Sequence, residues 1–382
     1  MPFTLYLPTK VIYDRRVSEV LPAELSSQHV GRVLLISDPV VAQLGWAEHI
    51  STSLQASGCT VATFSEVSSG PTVGELTAAL AVARDQKAEA VIGLGGGSAI
   101  DLAKAVALLL GDSGQPTDYL DRGRTVERRG CPMLAVPTTA GAGSEVSKRI
   151  LLIDPDRSIH RWLSSPLAYP QLAVLDPELT ISLPPLITAA TGMLAFTQAL
   201  EAYIGRQANP FSDQLAVSAL QAVWTFLPRA VTDGQDTAAR QAMALAALWA
   251  GIAADQADLG IVHALAATLT AHLRIHQGTA SALVLTQALR YDLPAIPAAR
   301  RQRLNRLFSL PADADSEALL ERLSLFISYL KLPTRLAELG ISPDGFDWGA
   351  MAAEAMQVSS VANNPQAVSL EACQALLTAL DA

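Results

Sequence analysis

The chain has 382 residues and a formal net charge of −9 at pH 7, with 50% of its residues apolar and 16% charged. That length exceeds one ordinary core and points to about two domains. The acidic balance excludes a nucleic-acid partner, whose phosphates call for basic patches and commonly aromatic platforms. The longest uncharged apolar run, Ala242 to Ala254, ends at Asp255. It falls short of the roughly 18 residues that span a bilayer, so it reads as a buried helix and no membrane is expected as a partner. The sequence does not open on a basic stretch, an apolar core and a small-residue cleavage site. Cys59, Cys131 and Cys373 lack the C-x-x-C spacing of metal and redox sites. A cytoplasmic location and buried, unpaired cysteines are therefore expected.

Residues 3 to 13 carry β-formers on both sides of Pro8 and predict an opening pair of edge strands. Val33-Leu34-Leu35-Ile36, bounded by Gly31 and by Asp38-Pro39, is the continuous apolar run of a parallel strand buried on both faces. A helical pattern to about Ala56, a strand near Thr60 to Phe64, a loop at Ser68-Ser69-Gly70-Pro71-Thr72 and a helix to about Gln86 follow. Val91-Ile92-Gly93-Leu94 then runs through Gly95-Gly96-Gly97-Ser98 into an amphipathic segment that contains Asp101 and Lys104, an order that reads as strand, tight loop, helix. Consecutive glycines strip side chains from the backbone where the helix starts, so a pyrophosphate can approach N–H groups at the positive end of the helix dipole. Gly93 and Gly95 nearly match the G-x-G-x-x-G spacing, with Ser98 in the last glycine's place. A turn that only packs a helix on a sheet is the alternative.

A strand at Met133 to Val136 leads into Pro137-Thr138-Thr139-Ala140-Gly141-Ala142-Gly143-Ser144-Glu145, a small, hydroxyl-rich loop able to wrap a ligand closely. Apolar runs at Ile150 to Ile153 and Leu172 to Leu175 end in Asp154-Pro155 and Asp176-Pro177, after which the β signal disappears. The pattern is helical from Leu183, and Pro184-Pro185 makes a natural boundary. These signals predict a doubly wound, Rossmann-like α/β domain over residues 1–182, with ligands at the carboxyl ends of its strands, and an all-α domain over residues 183–382. The Asp38 turn and the Gly95 loop both lie at such ends.

At this point the residues resemble the iron-containing (group III) alcohol dehydrogenase family, relatives of glycerol dehydrogenase and dehydroquinate synthase. The resemblance rests on Gly95-Gly96-Gly97-Ser98 with Asp101 and Lys104, on Pro137-Thr138-Thr139 through Glu145, on Asp176-Pro177, on Thr191-Gly192-Met193 with Glu201-Ala202-Tyr203, on Asn209-Pro210 with Asp213, and on Asn364-Pro365. It implies a dehydroquinate synthase-like nucleotide-binding domain, a helical domain holding a divalent metal, an active site in the cleft between them, and NAD(P)-linked interconversion of alcohols with aldehydes or ketones. In the family an aspartate and three histidines hold the metal. Here the aspartate position is Leu194, the first histidine position is Gln198, His263 keeps the second, and Gln277 stands at the third. Leucine ligates nothing and glutamine is a weak neutral ligand for iron or zinc, so no intact metal site is expected. Ala267 stands where many members carry a proton-relaying histidine, His160 where a cofactor-contacting lysine is usual, and Gly70 where an asparagine precedes the proline.

Asp38 matches the acidic residue that hydrogen-bonds the adenosine ribose, although capping the helix that follows is an equally good role for it. The resemblance tips this toward ribose binding and toward NAD in preference to NADP. Gly95, Gly96, Gly97 and Ser98 would bind the pyrophosphate, while Thr138, Thr139 and Ser144 would line the nicotinamide side or serve as caps and turn formers. Asp101 and Lys104 are expected to brace the helix rather than react. His263 and His276 are the candidate catalytic groups, against a role for His263 as a hydrogen-bonded relic. His272 and His276 are spaced i, i+4 and could face one way on a helix, with His263 joining them in a rebuilt metal site, but the resemblance puts them at a loop before a helix. Two functions stay open: an oxidoreductase acting on a small alcohol or aldehyde without metal, and a catalytically silent nucleotide-binding or assembly subunit, pairing with an active paralogue. A phosphate-eliminating cyclase would need metal ligands and phosphate clamps of its own. Low charge in the helical half favours a homo-oligomer.

Overall fold

A computed structural model describes residues 3–120, 123–154 and 159–381. The chain separates into two compact units, one made of Tyr6–Thr139 and Gly143–Thr180, the other of the chain from Ile181 onward with Ala140–Ala142 and the segment up to Leu5.

In chain order the first unit contains β1 (Lys10–Tyr13), α1 (Val17–Ser27), β2 (Arg32–Ser37), α2 (Pro39–Gln43), α3 (Trp46–Ala56), β3 (Thr60–Phe64) and α4 (Val73–Asp85). There follow β4 (Ala90–Gly95), α5 (Gly97–Leu109), α6 (Pro116–Leu120), β5 (Met133–Pro137), β6 (Arg149–Asp154), β7 (Ile159–Ser164) and β8 (Leu172–Leu175). Six of the strands form one parallel sheet in the order β1-β8-β5-β4-β2-β3. Its apolar runs are continuous because both faces are covered. Leu34 and Ile36 of β2, Val91 of β4 and Met133 and Ala135 of β5 pack into one core with α4 and α5. Their neighbours Val33, Leu35, Ile92, Leu134 and Val136 pack into a second core with α1 and α3. The chain steps outward from β2 to β3 and then returns to β4 on the other side of β2, so the strand order reverses between β2 and β4. That reversal opens a crevice at the carboxyl ends of these two strands, where doubly wound folds place their ligands.

Three details differ from the sequence reading. Only Lys10–Tyr13 of the expected opening pair is a strand, laid parallel to β8. Phe3, Leu5 and Tyr6 stand exposed, since β-formers make a strand only where another strand pairs with them, and no strand among the described residues pairs with theirs. Ile150 to Ile153 is extended but lies outside the parallel sheet, in an antiparallel pair with β7. The helical pattern before Ala56 is two helices, broken at Gly45, whose φ of +79° suits glycine.

The second unit is helical: α7 (Pro185–Ile204), α8 (Pro210–Thr232), α9 (Thr237–Ala257), α10 (Ile261–Leu273), α11 (Gln277–Asp292), α12 (Ala298–Leu307), α13 (Ser316–Tyr329), α14 (Trp348–Ala355) and α15 (Leu370–Thr378). α7 is buried from Thr188 to Ile204 and packs against α8, α9 and α11, which explains a helix apolar on every side. Alanines and Gly192 let the helices approach closely, and Phe196 meets the rings of Phe308 and Phe326 at 5.5 and 5.8 Å. Among the described residues no single helix is long and apolar enough to cross a membrane.

Candidate functional site

The first unit gathers its candidate residues where the strand order reverses. β2 and β4 run in register from Val33 opposite Ala90 to Ser37 opposite Leu94, so the residues that follow, Asp38 and Gly95, arrive side by side. Asp38 caps α2, its Oδ1 accepting the Val41 N–H at 2.9 Å. Its other carboxylate oxygen lies 3.0 Å from where a Cβ on Gly95 would stand. Gly95 has a φ of +152°, and the same Cβ would come within 2.8 Å of Ala99 Cβ, so conformation and space both demand glycine. α5 begins at Gly97 behind Gly96, which offers no side-chain cap, and leaves its first N–H groups for an anion. Gly96 faces Thr139, whose Cγ2 would be 3.3 Å from an added Cβ. Thr138 donates its N–H to Gly95 O at 2.9 Å, and Ser98 Oγ donates to Ser69 O at 2.8 Å. The structure thus brings Asp38, Gly95, Gly96, Gly97, Ser98, Thr138 and Thr139 together. Ser144, buried, starts a short 3-10 turn after Gly143.

Behind this loop lies a buried ionic brace. Lys104 pairs with Asp101 at 2.8 Å one turn earlier on α5 and also donates to the Arg149 carbonyl, while Asp101 Oδ2 accepts the Leu151 N–H at 2.9 Å. Both residues therefore fasten α5 to β6, which agrees with a bracing role. Nearby Glu145 is buried, and loss of solvation pushes its carboxyl up to about 7 against the pull of Lys104. Gly70 accommodates the Ile153 side chain, whose Cδ1 would be 2.2 Å from an added Cβ. His160, on β7, meets the Trp162 ring edge-on at 6.4 Å.

The second unit gathers its own candidate residues around one face of α7. Ala190, Leu194, Gln198 and Glu201 are spaced by four, four and three residues and share that face. At one end the Ala190 carbonyl touches Gly278, where a Cβ would fall 1.8 Å from the oxygen, so only glycine lets α11 start there. At the other end Glu201 accepts the N–H groups of Val262 at 2.7 Å and His263 at 3.2 Å, the first turn of α10. Leu194 and Gln198 therefore lie between the start of α11, which carries Gln277, and the start of α10, which carries His263. Gln277 Nε2 donates to His263 Nδ1 at 3.4 Å, tying the two starts together. Leu194, Gln198 and His263 are 5%, 7% and 8% exposed, and Gln198 Oε1 has no hydrogen-bond partner among the described residues.

His276 is the cap of α11, its Nδ1 accepting the Gly278 N–H at 3.0 Å, and burial lowers its pKa. Because both imidazoles accept at Nδ1, each neutral ring carries its proton on Nε2. His272 does not join them. α10 ends at Leu273, Arg274 turns left-handed at φ 53°, and His272 pairs instead with Glu354 at 2.8 Å. Among the described residues no three His, Cys, Asp or Glu side chains gather in an arrangement able to hold a metal ion.

The sequence reading quoted Glu201 and Asn364 without giving them a task. Asn364 Oδ1 accepts the Ile261 N–H at 3.0 Å and its Nδ2 donates to Asp292 at 2.6 Å, so the first three N–H groups of α10 are capped by side chains brought from α7 and from the far end of the chain. Burial pushes the Glu201 and Asp292 carboxyls up to about 8 and about 7. A signal was present, since Glu201 is the lone charged residue between Leu183 and Ile204.

Comparison with known proteins agrees with this architecture. Residues 8–177 match the model for "Iron-containing alcohol dehydrogenase" and residues 188–380 that for "Fe-containing alcohol dehydrogenase family, C-terminal". The chain is 33% identical over 385 residues to the 1-propanol dehydrogenase PduQ of Salmonella typhimurium, covering 99% of each chain. It is 35% identical over 361 residues to the 4-hydroxybutyrate dehydrogenase of Cupriavidus necator, covering 91% of this chain and 92% of that one. A crystal structure of 1,3-propanediol oxidoreductase superimposes with a TM-score of 0.92 at 28% identity, covering 100% of both chains. With family models matching both halves and relatives above 30% identity aligned over nearly its whole length, the chain belongs to the iron-containing alcohol dehydrogenase family.

Proposed function

We propose that this protein is an NAD(H)-dependent oxidoreductase that interconverts a small alcohol and its aldehyde without a resident metal ion. The observation that carries the cofactor half is the Asp38 carboxylate beside Gly95 at the uncapped start of α5. The N–H groups after Gly96 would hold the pyrophosphate, the Asp38 oxygen that is not a cap would hold the adenosine ribose hydroxyls, and Thr138, Thr139 and Ser144 would serve the nicotinamide side. A 2′-phosphate about 4 Å from that carboxylate meets repulsion on the order of 4 kcal/mol per charge at an effective dielectric near 20, so NADH is bound in preference to NADPH. Fluorescence titration with both reduced cofactors tests this. Equal affinities, or a preference that survives Asp38→Gly, would refute it.

The family's name implies a metal, and the donors at the resemblance-matched positions do not fit one. Leu194 presents carbon, Gln198 and Gln277 present neutral amides, and His263 alone presents a good ligand. The name of the 1-propanol dehydrogenase relative supports a small alcohol as substrate. A bound nicotinamide would supply the hydride acceptor for the alcohol carbon, which leaves the hydroxyl proton for a side chain of this protein to take. His263 is the better acceptor for it. Protonating Nδ1 breaks the contact with Gln277, whose amide can turn its oxygen to accept the new N–H, whereas His276 faces a backbone N–H of Gly278 that cannot turn.

A second reading, a silent nucleotide-binding or assembly subunit that pairs with an active paralogue, is favoured by Leu194 standing among the polar groups. Assay of the chelator-treated protein with NAD+ and a series of primary alcohols separates the two. Turnover that survives chelation and falls in His263→Ala supports the enzyme, and saturable NADH binding without turnover supports the subunit.

A further inference from the structure

Gln198 is 7% exposed, yet its Oε1 has no hydrogen-bond partner among the described residues. A buried amide left unpaired is costly, and such a group persists where something other than stability retains it. Asn305 in the same unit also has a leftover oxygen, but its amide nitrogen holds the carbonyls of Ala312 and Ala314, a structural task. Gln198 serves no comparable task among the described residues. It sits on the α7 face between the starts of α10 and α11, where Gln277 is an amide bonded to His263 and burial lowers the pKa of His276, favouring its neutral ring. The carboxyl on this face, Glu201, is taken up by the N–H groups of Val262 and His263.

We propose that Gln198 is the direct hydrogen-bond partner of the substrate oxygen and that it selects an uncharged alcohol or aldehyde. The inference rests on the alcohol–aldehyde reading above and adds the residue and the substrate class. A primary amide suits both ends of that reaction, because Oε1 accepts from an alcohol hydroxyl and, after a half-turn of the side chain, Nε2 donates to an aldehyde carbonyl. A substrate carrying a carboxylate or an ammonium close to this oxygen finds no lysine, arginine or free carboxylate on this face among the described residues, and its desolvation cost goes unrepaid in the resting protein.

The test uses Gln198→Met, which keeps the volume and removes the amide, with Gln198→Asn as a second variant that sets the amide back by one methylene. In the ligand-free protein Gln198→Met melts higher than wild type, by about 2–4 °C, because an unpaired polar atom has gone. Saturation-transfer NMR with 1-propanol, propanoate and propylammonium, run with and without NADH, shows saturable binding of 1-propanol alone in the wild type. That binding weakens roughly fivefold or more in Gln198→Met. In turnover both variants raise KM more than they lower kcat. A lower melting temperature for Gln198→Met, 1-propanol binding indifferent to both variants, or either ion bound as tightly as the alcohol would each overturn the proposal. Turnover of alcohols that both variants leave unchanged sinks this assignment and leaves the oxidoreductase standing. Loss of 1-propanol binding in Gln198→Met, in a wild type that turns over no alcohol, supports the Gln198 site and removes the oxidoreductase.

Discussion

Leu194→Asp combined with Gln198→His and Gln277→His places one carboxylate and two imidazoles beside His263, the set of ligands that the family resemblance assigns to these positions. Leu194 is 5% exposed, so replacing it forfeits a buried apolar side chain and introduces a carboxylate among α7, α10 and α11. The metal-free triple variant should lose about 3–5 kcal/mol. Zinc binds the folded form and returns part of that loss, about 2.7 kcal/mol at a hundredfold excess over Kd and about 4.1 at a thousandfold. For a helical unit of this size the recovery corresponds to a rise of roughly 5–16 °C in melting temperature. The assay is differential scanning fluorimetry across a zinc or ferrous series, with elemental analysis of the loaded, desalted proteins. Wild type should show no metal-dependent shift and hold no stoichiometric metal, and the triple variant should hold one equivalent. One tightly held metal per wild-type chain would refute the neutral-donor reasoning. A folded triple variant without metal would show that α7, α10 and α11 no longer hold these four positions at ligating distance.

Three further outcomes follow from particular contacts. Glu145 has a folded-state pKa near 7 against a usual 4.5, so between those values the folded chain keeps a proton that the unfolded chain releases. The stability it contributes is complete below about pH 4.5 and is lost as pH rises through 7, a change on the order of 3 kcal/mol. Urea melts at pH 5 and pH 8 should show Glu145→Gln removing that slope, and an unchanged slope would refute the assignment. Gly278→Ala puts a methyl 1.8 Å from the Ala190 carbonyl and should cost about 3 kcal/mol or more, whereas a melt within 1 °C of wild type would mean α11 starts elsewhere. Light scattering across micromolar concentrations should find a homo-oligomer, and a monomer throughout would count against the apolar-surface argument.

Much of the fold was legible because its signals are local. Val33 to Ile36, Val91 to Leu94 and Met133 to Val136 are continuous apolar runs because each strand feeds two cores, and glycines that follow such a run mark a backbone that something must approach closely. Asp38 could be singled out from its place after a strand, but not assigned, because one carboxylate has two oxygens and the structure uses one as a cap and turns the other toward Gly95. Where a pattern depended on a partner, sequence reasoning failed. Phe3 to Leu7 has strand composition, and no strand pairs with it among the described residues; the apolar run at Ile150 to Ile153 is a strand, but its pairing with β7 was not legible.

By itself, then, the sequence determined the parallel sheet, the helical half and the glycine loop, since each is written in consecutive or helically spaced residues. The tertiary structure alone decided that His272 turns to Glu354, that His276 is a cap, that Gln198 keeps an unpaired oxygen, and that Glu201 and Asn364 fix the start of α10. These depend on atoms 61 to 103 residues apart in the chain, or on which way a side chain turns once its neighbours arrive. No periodicity encodes such meetings, because local spacing sets the face a residue occupies while packing sets what that face meets.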